Sequence, residues 1–267
     1  MIMNRIEERL SQLQEKGEKA FITYMTAGLP DMEGMKELLK AQEEAGTDIV
    51  ELGIPFSDPV ADGPVIQDAS YRSILKGTNL KKTFQAVKEV REECQIPIIF
   101  MMYYNTILHY GVKEFVKKCE EAGVDGLIVP DLPFEEQKEI KACLTSEHAP
   151  ILIELVSPVS KQRVPMILEN ARGFVYCVSS MGVTGQEGQF YDTVKEYLKE
   201  VKEQSKIPVM MGFGIQTAKD VEFVKDTIDG CIVGTHFIEI LEECNYDLEE
   251  AKKYIKQFKS ELNGVFV

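Results

Sequence analysis

The stretch EEAGTDIVEL, residues 43–52, contains the repeating unit from which the fold follows. A charged helical segment ends at Gly46, and the apolar run of residues 48–52 begins two positions later. The same order recurs in EEAGVDGLIV (residues 120–129) and in NARGFVYCV (residues 170–178). Glycine commonly ends helices because it adopts the left-handed conformation without steric cost. A short, nearly continuous apolar run is typical of a parallel strand that is covered on both faces.

Eight such runs alternate with charged, helix-like segments along most of the chain. The runs are residues 21–26, 48–52, 96–103, 126–129, 151–156, 174–178, 208–212 and 230–234. The segments between them, for example TAKDVEFVKDTI (residues 217–228), are predicted to be helices. Further helices are predicted at the N-terminus, after the second run and after the eighth.

Eight strand–helix units without a long linker favour a closed barrel over a doubly wound open sheet, which is the alternative. We therefore predict an α/β fold, a (β/α)8 TIM barrel with extra N-terminal and loop helices. No shift in composition marks a second domain, so residues 1–267 are expected to form a single barrel domain.

Composition excludes several classes of function. The net charge of -14 and the pI near 4.8 argue against nucleic acid as a partner, because its phosphates need a basic surface. The six cysteines show no CxxC spacing, which favours reduced thiols over a disulfide framework or a zinc site. The amphipathic N-terminal segment lacks the apolar core of a signal peptide, and no run of 18 apolar residues occurs. We expect a cytoplasmic protein without a membrane segment.

In a barrel of this type, catalytic residues lie at the C-terminal ends of the strands. The second run ends near Glu51, and the loop that follows carries Asp58 and Asp62 among three prolines. Proline restricts φ, so this loop is stiff enough to hold carboxylates at a cavity. Two carboxylates in different environments can divide general acid and general base roles. A structural ion pair at Glu51 and an ordinary tight turn in the loop remain the alternatives.

Glycine-rich loops follow the last three runs, as SSMGVTGQEGQ (residues 179–189), GFGIQT (residues 212–217) and GTHF (residues 234–237). Loops after the seventh and eighth strands, with the N-terminus of an extra helix, commonly bind phosphate in TIM barrels. The pattern predicts a phosphorylated substrate. The three histidines, His109, His148 and His236, have no second ligand at metal spacing, so we expect surface or packing roles and no metal site.

The segment ELGIPFSDPVADGPVIQ, residues 51–67, resembles the signature of the tryptophan synthase alpha subunit family. Further motifs occur in the order and spacing of that family, and the resemblance covers residue 21 to the end. These motifs are MMYYN (101–105), LIVPDLPFEE (127–136), YCVSSMGVTGQ (176–186), MGFGI (211–215) and GTHFI (234–238).

The resemblance implies a carbon–carbon lyase of tryptophan biosynthesis that cleaves indole-3-glycerol phosphate into indole and glyceraldehyde 3-phosphate. Glu51 and Asp62 match the catalytic carboxylates of the family. The matches to the indole pocket and its surroundings are Tyr24, Met101, Tyr103, Ile128, Ile153, Tyr176, Thr184 and Phe213. The matches to the phosphate site are Gly185, Gly214, Gly234 and Thr235. Thr235 stands where many relatives carry Ser, and Ser180 stands where some carry Arg.

The resemblance also implies a partner, a beta subunit that receives indole within an αββα heterotetramer. Pro55, Asp58 and Pro133 match positions that meet this subunit. No cofactor is expected in this chain, because the pyridoxal phosphate would belong to the beta subunit. Three rival functions are a different phosphate-binding barrel enzyme such as a sugar-phosphate isomerase or epimerase, a barrel without catalysis that only activates a beta subunit, and a stand-alone lyase that releases free indole.

Overall fold

The protein folds into a closed parallel β-barrel surrounded by helices. The structure is a computed structural model that describes residues 3–178, 187–212 and 214–264, with residues 187–190 described by their backbone alone. Its strands are β1 Ala20–Thr26, β2 Ile49–Gly53, β3 Ile98–Met101, β4 Gly126–Ile128, β5 Ile151–Leu152, β6 Glu154–Val156, β7 Val175–Val178, β8 Val209–Gly212 and β9 Gly230–Val233. Their order in the sheet is β5-β4-β3-β2-β1-β9-β8-β7-β6, and every pairing is parallel.

The barrel closes through the predicted fifth strand, residues 151–156. The structure divides this run into β5, which pairs with β4, and β6, which pairs with β7. Only Ile153 separates the two segments, and its N–H donates to the carbonyl of Leu127 at 2.9 Å. One stretch of chain therefore joins both ends of the sheet, and the predicted (β/α)8 barrel is confirmed.

The helices cover the outside of the barrel and one of its ends. They are α1 Arg5–Lys16, α2 Met32–Ala45, α3 Pro64–Leu75, α4 Leu80–Val90, α5 Tyr104–Tyr110, α6 Val112–Ala122, α7 Lys138–Cys143, α8 Val164–Leu168, α9 Glu187–Gln204, α10 Thr235–Glu243 and α11 Leu248–Leu262. Three 3-10 helices span Phe134–Glu136, Pro158–Arg163 and Ala218–Val224. The last of these corrects the predicted helix of residues 217–228. Within the described ranges, no helix is long and apolar enough to cross a membrane.

Alternation along each strand separates two apolar layers. In β2, Ile49 lies in the inner cluster of the barrel, whereas Val50 and Leu52 lie in the outer cluster between strands and helices. Successive side chains of a strand point to opposite faces, so Glu51 shares the inner face with Ile49. The inner cluster is mostly isoleucine, as expected for a packed barrel interior. All six cysteines, which lie in the described ranges, are free, and Cys177 and Cys231 are buried on their strands.

Helix α1 closes the N-terminal end of the barrel. Its side chains Ile6, Leu10 and Leu13 are buried in the inner cluster together with the strand isoleucines. Arg5 and Arg9 of the same helix form salt bridges with Asp125 and Asp48, at 2.8 and 2.7 Å. The apolar face of α1 thus fills the lower end of the interior, and the arginines attach it to the strands.

The two aspartates that bind α1 come from the repeated helix–glycine–strand unit. Asp48 accepts a hydrogen bond from the N–H of Phe21 at 2.6 Å, and Asp125 accepts one from the N–H of Ile98 at 2.8 Å. Each carboxylate therefore satisfies an amide at the start of the neighbouring strand, that of the second residue of β1 and that of the first residue of β3. Both residues are almost fully buried, a position that the hydrogen bonds and arginine partners make tolerable.

Candidate active site

A cavity of about 550 Å³ opens at the C-terminal ends of the strands. Its described lining comes from the ends of β1, β2, β3, β6, β7 and β9, from loops after several of these strands, and from the loops after β4 and β8. The lining residues are Tyr24, Glu51, Ala61, Asp62, Gly63, Ile66, Met101, Pro130, Leu155, Val156, Ser157, Ser160, Tyr176, Val178, Gly214, Ile215, Gln216, Ile232, Gly234, Thr235 and His236. The position is the one expected for the active site of a TIM barrel.

Glu51 lies on the inner face of β2, in register with Tyr24 of β1 and Ile99 of β3. Only 1% of the residue is exposed, and Oε1 has no hydrogen-bond partner among the described residues. Burial away from water disfavours the charged form and raises the pKa of Glu51 to about 8. At neutral pH this carboxyl group is therefore mostly protonated, which suits a general acid.

Asp62 lies in the loop after β2 and is held by a tyrosine of the neighbouring strand end. Tyr103 Oη donates a hydrogen bond to Asp62 Oδ2 at 2.9 Å, and the N–H of Ala61 donates to Tyr103 Oη at 2.9 Å. The ring of Tyr103 stacks on Phe56 of the same loop, with centroids 5.0 Å apart. Burial raises the pKa of Asp62, and the hydrogen bond from Tyr103 opposes that rise. The two carboxyl groups at this cavity therefore occupy different environments.

Two tyrosine rings form walls of the cavity, and each lies directly against a glycine. A Cβ atom at Gly53 would overlap the phenol of Tyr24, and one at Gly212 would overlap the ring of Tyr176. Burial is the largest cause of the raised pKa of Tyr24 and of Tyr176, so both stay neutral at physiological pH. Together with the apolar side chains of the lining, these rings make a slot suited to a flat aromatic group.

The opposite side of the cavity is built from glycines and the start of α10. Gly214 has a φ of 69°, in the left-handed region that favours glycine. Gly234 immediately precedes α10, and Thr235 and His236 are its first two residues. The first N–H groups of a helix lack intrahelical partners and favour an anion. This side can therefore bind a phosphoryl group.

The structure brings most of the predicted substrate residues to the cavity. Those in its lining, besides Glu51 and Asp62, are Tyr24, Met101, Tyr176, Gly214, Gly234 and Thr235. Tyr103 contacts Asp62 but does not line the cavity. Ile128 and Ile153 lie in the inner cluster of the barrel rather than in the lining. Thr184, Gly185 and Phe213, together with Ser180, lie outside the described residues.

The predicted partner positions lie at the surface. Asp58 and Pro133 are exposed, and Pro55 is half-buried. All three follow the C-terminal ends of strands, so they belong to the same end of the barrel as the cavity.

His236 corrects the sequence analysis, which expected a surface or packing histidine. It lines the cavity, and its Nδ1 lies 3.3 Å from Glu239 Oε2. The segment GTHF gave a signal for this position, because His236 directly follows Gly234 and Thr235, which were predicted to lie at the site. Ser157 and Ser160, which follow β6, were also missed. Among the described residues, no cluster of three His, Cys, Asp or Glu could hold a metal ion.

Comparisons with known proteins agree with this geometry. The family model described as tryptophan synthase alpha chain matches residues 10–265. The tryptophan synthase alpha chain of Lachnospira eligens is 62% identical over 98% of this chain and 100% of that protein. The subunit alpha structure from Legionella pneumophila str. Paris has a TM-score of 0.89 at 33% identity, covering 98% of this chain and 100% of that one. The Mycobacterium tuberculosis tryptophan synthase structure has a TM-score of 0.86 at 32% identity, covering 98% and 99%. The chain therefore belongs to the tryptophan synthase alpha chain family.

Proposed function

We propose that Glu51 and Asp62 carry the alpha reaction of tryptophan biosynthesis, the cleavage of indole-3-glycerol phosphate to indole and glyceraldehyde 3-phosphate. The observation that carries this proposal is the burial of Glu51, with Oε1 unpartnered among the described residues, in a cavity that also holds Asp62; that burial raises the pKa of Glu51. A protonated carboxyl beside a second carboxylate is what a proton-shuffling carbon–carbon lyase requires.

In the first step, the carboxyl group of Glu51 donates its proton to C3 of the indole ring. The C2=C3 bond supplies the electron pair, and the N1 lone pair moves in to form an indolenine-like cation. Asp62, as the carboxylate, accepts a hydrogen bond from N1–H and stabilises the positive charge that develops there. Tyr103 keeps Asp62 facing the cavity while it does so.

In the second step, the newly ionised Glu51 takes the proton from the hydroxyl group on the carbon attached to the ring. That oxygen forms the aldehyde of glyceraldehyde 3-phosphate, and the carbon–carbon bond to C3 breaks. Its electron pair returns to the ring and restores neutral indole. Glu51 ends the cycle protonated, so no external acid or base is consumed.

The two ends of the cavity suit the two ends of the substrate. The slot between Tyr24 and Tyr176 fits the indole ring, and the glycines with the start of α10 fit the phosphate. Gly234 and Thr235 supply backbone N–H groups there. Thr235 stands where many relatives carry Ser, and this difference leaves the N–H group in place. Thr184, Gly185 and Phe213 are proposed to complete the site on the grounds of the family motif alone.

We further propose that a beta subunit containing pyridoxal phosphate receives the indole in an αββα complex in the cytoplasm. Exposed apolar side chains near the cavity support a docking surface: Val60 is 84% exposed and Val159 is 94% exposed. Such side chains on loops around an opening are typical of a protein interface. The cofactor would belong to that partner.

Two isosteric variants test the catalytic assignment. Glu51→Gln and Asp62→Asn are each expected to lower kcat for indole release by on the order of 10²–10⁴. Circular dichroism and melting curves check that both variants stay folded. Near-normal cleavage by either folded variant would reject its assigned role. Isomerase or epimerase activity on a sugar phosphate, without indole release by the wild-type chain, would instead favour a different phosphate-binding barrel enzyme.

A further inference from the structure

The described lining of the cavity offers little positive charge to the phosphate of the proposed substrate. A substrate phosphoryl group carries close to two negative charges, and the Asp62 carboxylate lies in the same cavity. Burying an anion costs free energy unless a positive charge or several donors compensate it. Among the described lining residues there is no lysine and no arginine, and His236 is the one side chain that can carry a positive charge.

His236 stands where such a group is useful. It is the second residue of α10 and directly follows Thr235, whose backbone N–H belongs to the same helix start. A phosphoryl group bound at this helix start would lie against the first turn, within reach of side chains from that turn.

The imidazole is held in place by neighbours on two helices. Its Nδ1 lies 3.3 Å from Glu239 Oε2, one turn further along α10. The ring of Tyr254 on α11 meets it edge-on, with centroids 5.8 Å apart, and Tyr254 Oη donates to the carbonyl of Gln216 at 3.0 Å. Gln216 lines the cavity as well. Because Nδ1–H is directed to the Glu239 carboxylate, Nε2 is the nitrogen left for a ligand, and it can donate to a phosphate oxygen when the imidazole is protonated.

We propose that His236 is a binding residue for the phosphoryl group of the substrate, which it contacts through Nε2 while Glu239 orients the ring. This inference rests on the proposed function and adds to it a side-chain ligand for the phosphate. Backbone N–H groups at a helix start favour an anion through their partial charges, whereas a protonated imidazole adds a full positive charge. The imidazole selects phosphorylated molecules over neutral ones of the same shape, so His236 determines specificity.

The test measures binding without turnover. Isothermal titration calorimetry on the full chain uses two probes: glycerol 3-phosphate, which carries the phosphate without the ring, and indole-3-propanol, which carries the ring without the phosphate. His236→Ala is expected to weaken glycerol 3-phosphate binding about tenfold, the loss of one hydrogen bond to a charged group. The dissociation constant of indole-3-propanol should stay within about twofold of the wild-type value. In steady-state kinetics, KM for indole-3-glycerol phosphate should rise while kcat changes little.

A second variant and a matched control guard against misfolding. In His236→Asn the amide can replace Nδ1 toward Glu239 but offers nothing in place of Nε2, so it should lose phosphate affinity as Ala does. His148→Ala removes an exposed histidine just before β5, at the other end of the barrel, and should bind both probes like the wild type.

The proposal is overturned if the Ala and Asn variants bind glycerol 3-phosphate as tightly as the wild type. It is also overturned if they lose both probes equally, because that would indicate a general distortion. Failure of the catalytic assignment is distinguishable: Glu51→Gln should keep its affinity for glycerol 3-phosphate whatever its rate of cleavage.

Discussion

Tyr103 and Asp62 form a hydrogen bond of 2.9 Å between two consecutive strand ends of the barrel. The tyrosine oxygen accepts from the N–H of Ala61 at the same time, so its proton is directed to the carboxylate. Tyr103, which the resemblance placed at the indole pocket and its surroundings, thus supports Asp62, the proposed catalytic carboxylate. Tyr103 attaches the loop after β2 to the end of β3 through this hydrogen bond and its stack on Phe56, in addition to the backbone hydrogen bond from the N–H of Ile54 to the carbonyl of Met101.

Tyr103→Phe is expected to lower kcat/KM on the order of tenfold, because Asp62 loses the donor that holds it toward the cavity. The hydrogen bond from Tyr103 lowers the pKa of Asp62. Its removal raises that pKa further, so the acid limb of the pH–rate profile should move to higher pH. Steady-state kinetics across pH measure both effects. Tyr104→Phe, which removes a hydroxyl bound to Glu139, is the control, and an unchanged profile in Tyr103→Phe would contradict this role.

Glu51→Gln should make the protein more stable while it inactivates it. The folded-state pKa of about 8 lies above the unfolded value, so the folded chain binds more protons. This group therefore costs stability progressively as pH rises from about 4.5 to about 8, on the order of a few kcal/mol in total.

Urea unfolding at pH 6 and pH 8.5 should show the larger gain for Glu51→Gln at pH 8.5. Glu154→Gln is a matched control, since Glu154 is also buried but is paired with Lys141 at 2.8 Å and Gln137 at 3.1 Å. It should destabilise the protein, because the charge of Lys141 loses its partner. Destabilisation by both variants would contradict the assigned cost of Glu51.

The pH dependence of cleavage follows from the same groups. If protonated Glu51 donates to the ring, kcat/KM should fall as pH rises through about 8. Burial also raises the pKa of Asp62, so activity should appear, with rising pH, at a higher value than for an ordinary aspartate. A profile that stays flat from pH 6 to pH 9.5 would argue against Glu51 as the acid.

Gly53→Ala should displace Tyr24, because the added Cβ would overlap its phenol. We expect a loss of roughly 1–3 kcal/mol in the free energy of unfolding, as for other overpacked sites, and a higher KM. In Gly53→Ala combined with Tyr24→Leu the overlap is gone, so the two changes should cost less together than their sum. Additive losses in unfolding experiments would show that the ring and the glycine do not interact.

Val60→Glu should weaken association with a beta subunit by placing a charge on the proposed docking surface. Analytical ultracentrifugation of the mixed subunits measures the loss, and cleavage by the isolated chain should change less than twofold. Met3→Glu alters another exposed apolar side chain, at the end of the barrel closed by α1, and should assemble normally. If both variants associate equally well with a beta subunit, Val60 is not part of the interface.

The strand positions were predictable because each strand lies in a short apolar run between charged helical segments, and three of the runs follow a glycine that ends the preceding segment. The position of Glu51 on the inner face follows from alternation with Ile49. The contacts of Tyr24 with Gly53 and of Tyr176 with Gly212 were not predictable, since they join different strands and depend on barrel curvature. The placement of Ile128 and Ile153 in the inner cluster likewise depends on how far each strand rises toward the opening.

In the segment of residues 217–228, the spacing of the apolar residues contained information on the type of helix. Its buried side chains, Ala218, Val221 and Val224, recur every three residues, which is the period of a 3-10 helix rather than an α-helix. The segment was predicted to be a helix without a type, and the structure shows a 3-10 helix over Ala218–Val224, which is shorter than the predicted range.

Helix α1, through Ile6, Leu10 and Leu13, fills the N-terminal end of the barrel, so that the interior is closed at this end. Within the described residues, a ligand that enters the cavity at the C-terminal ends of the strands must also leave there. If indole forms at Glu51 as proposed, it cannot leave through the end that α1 closes, and a subunit that receives it would cover the same opening that admits the substrate. Substrate entry and indole release would then use one opening. The loops around that opening would determine the order of the two events.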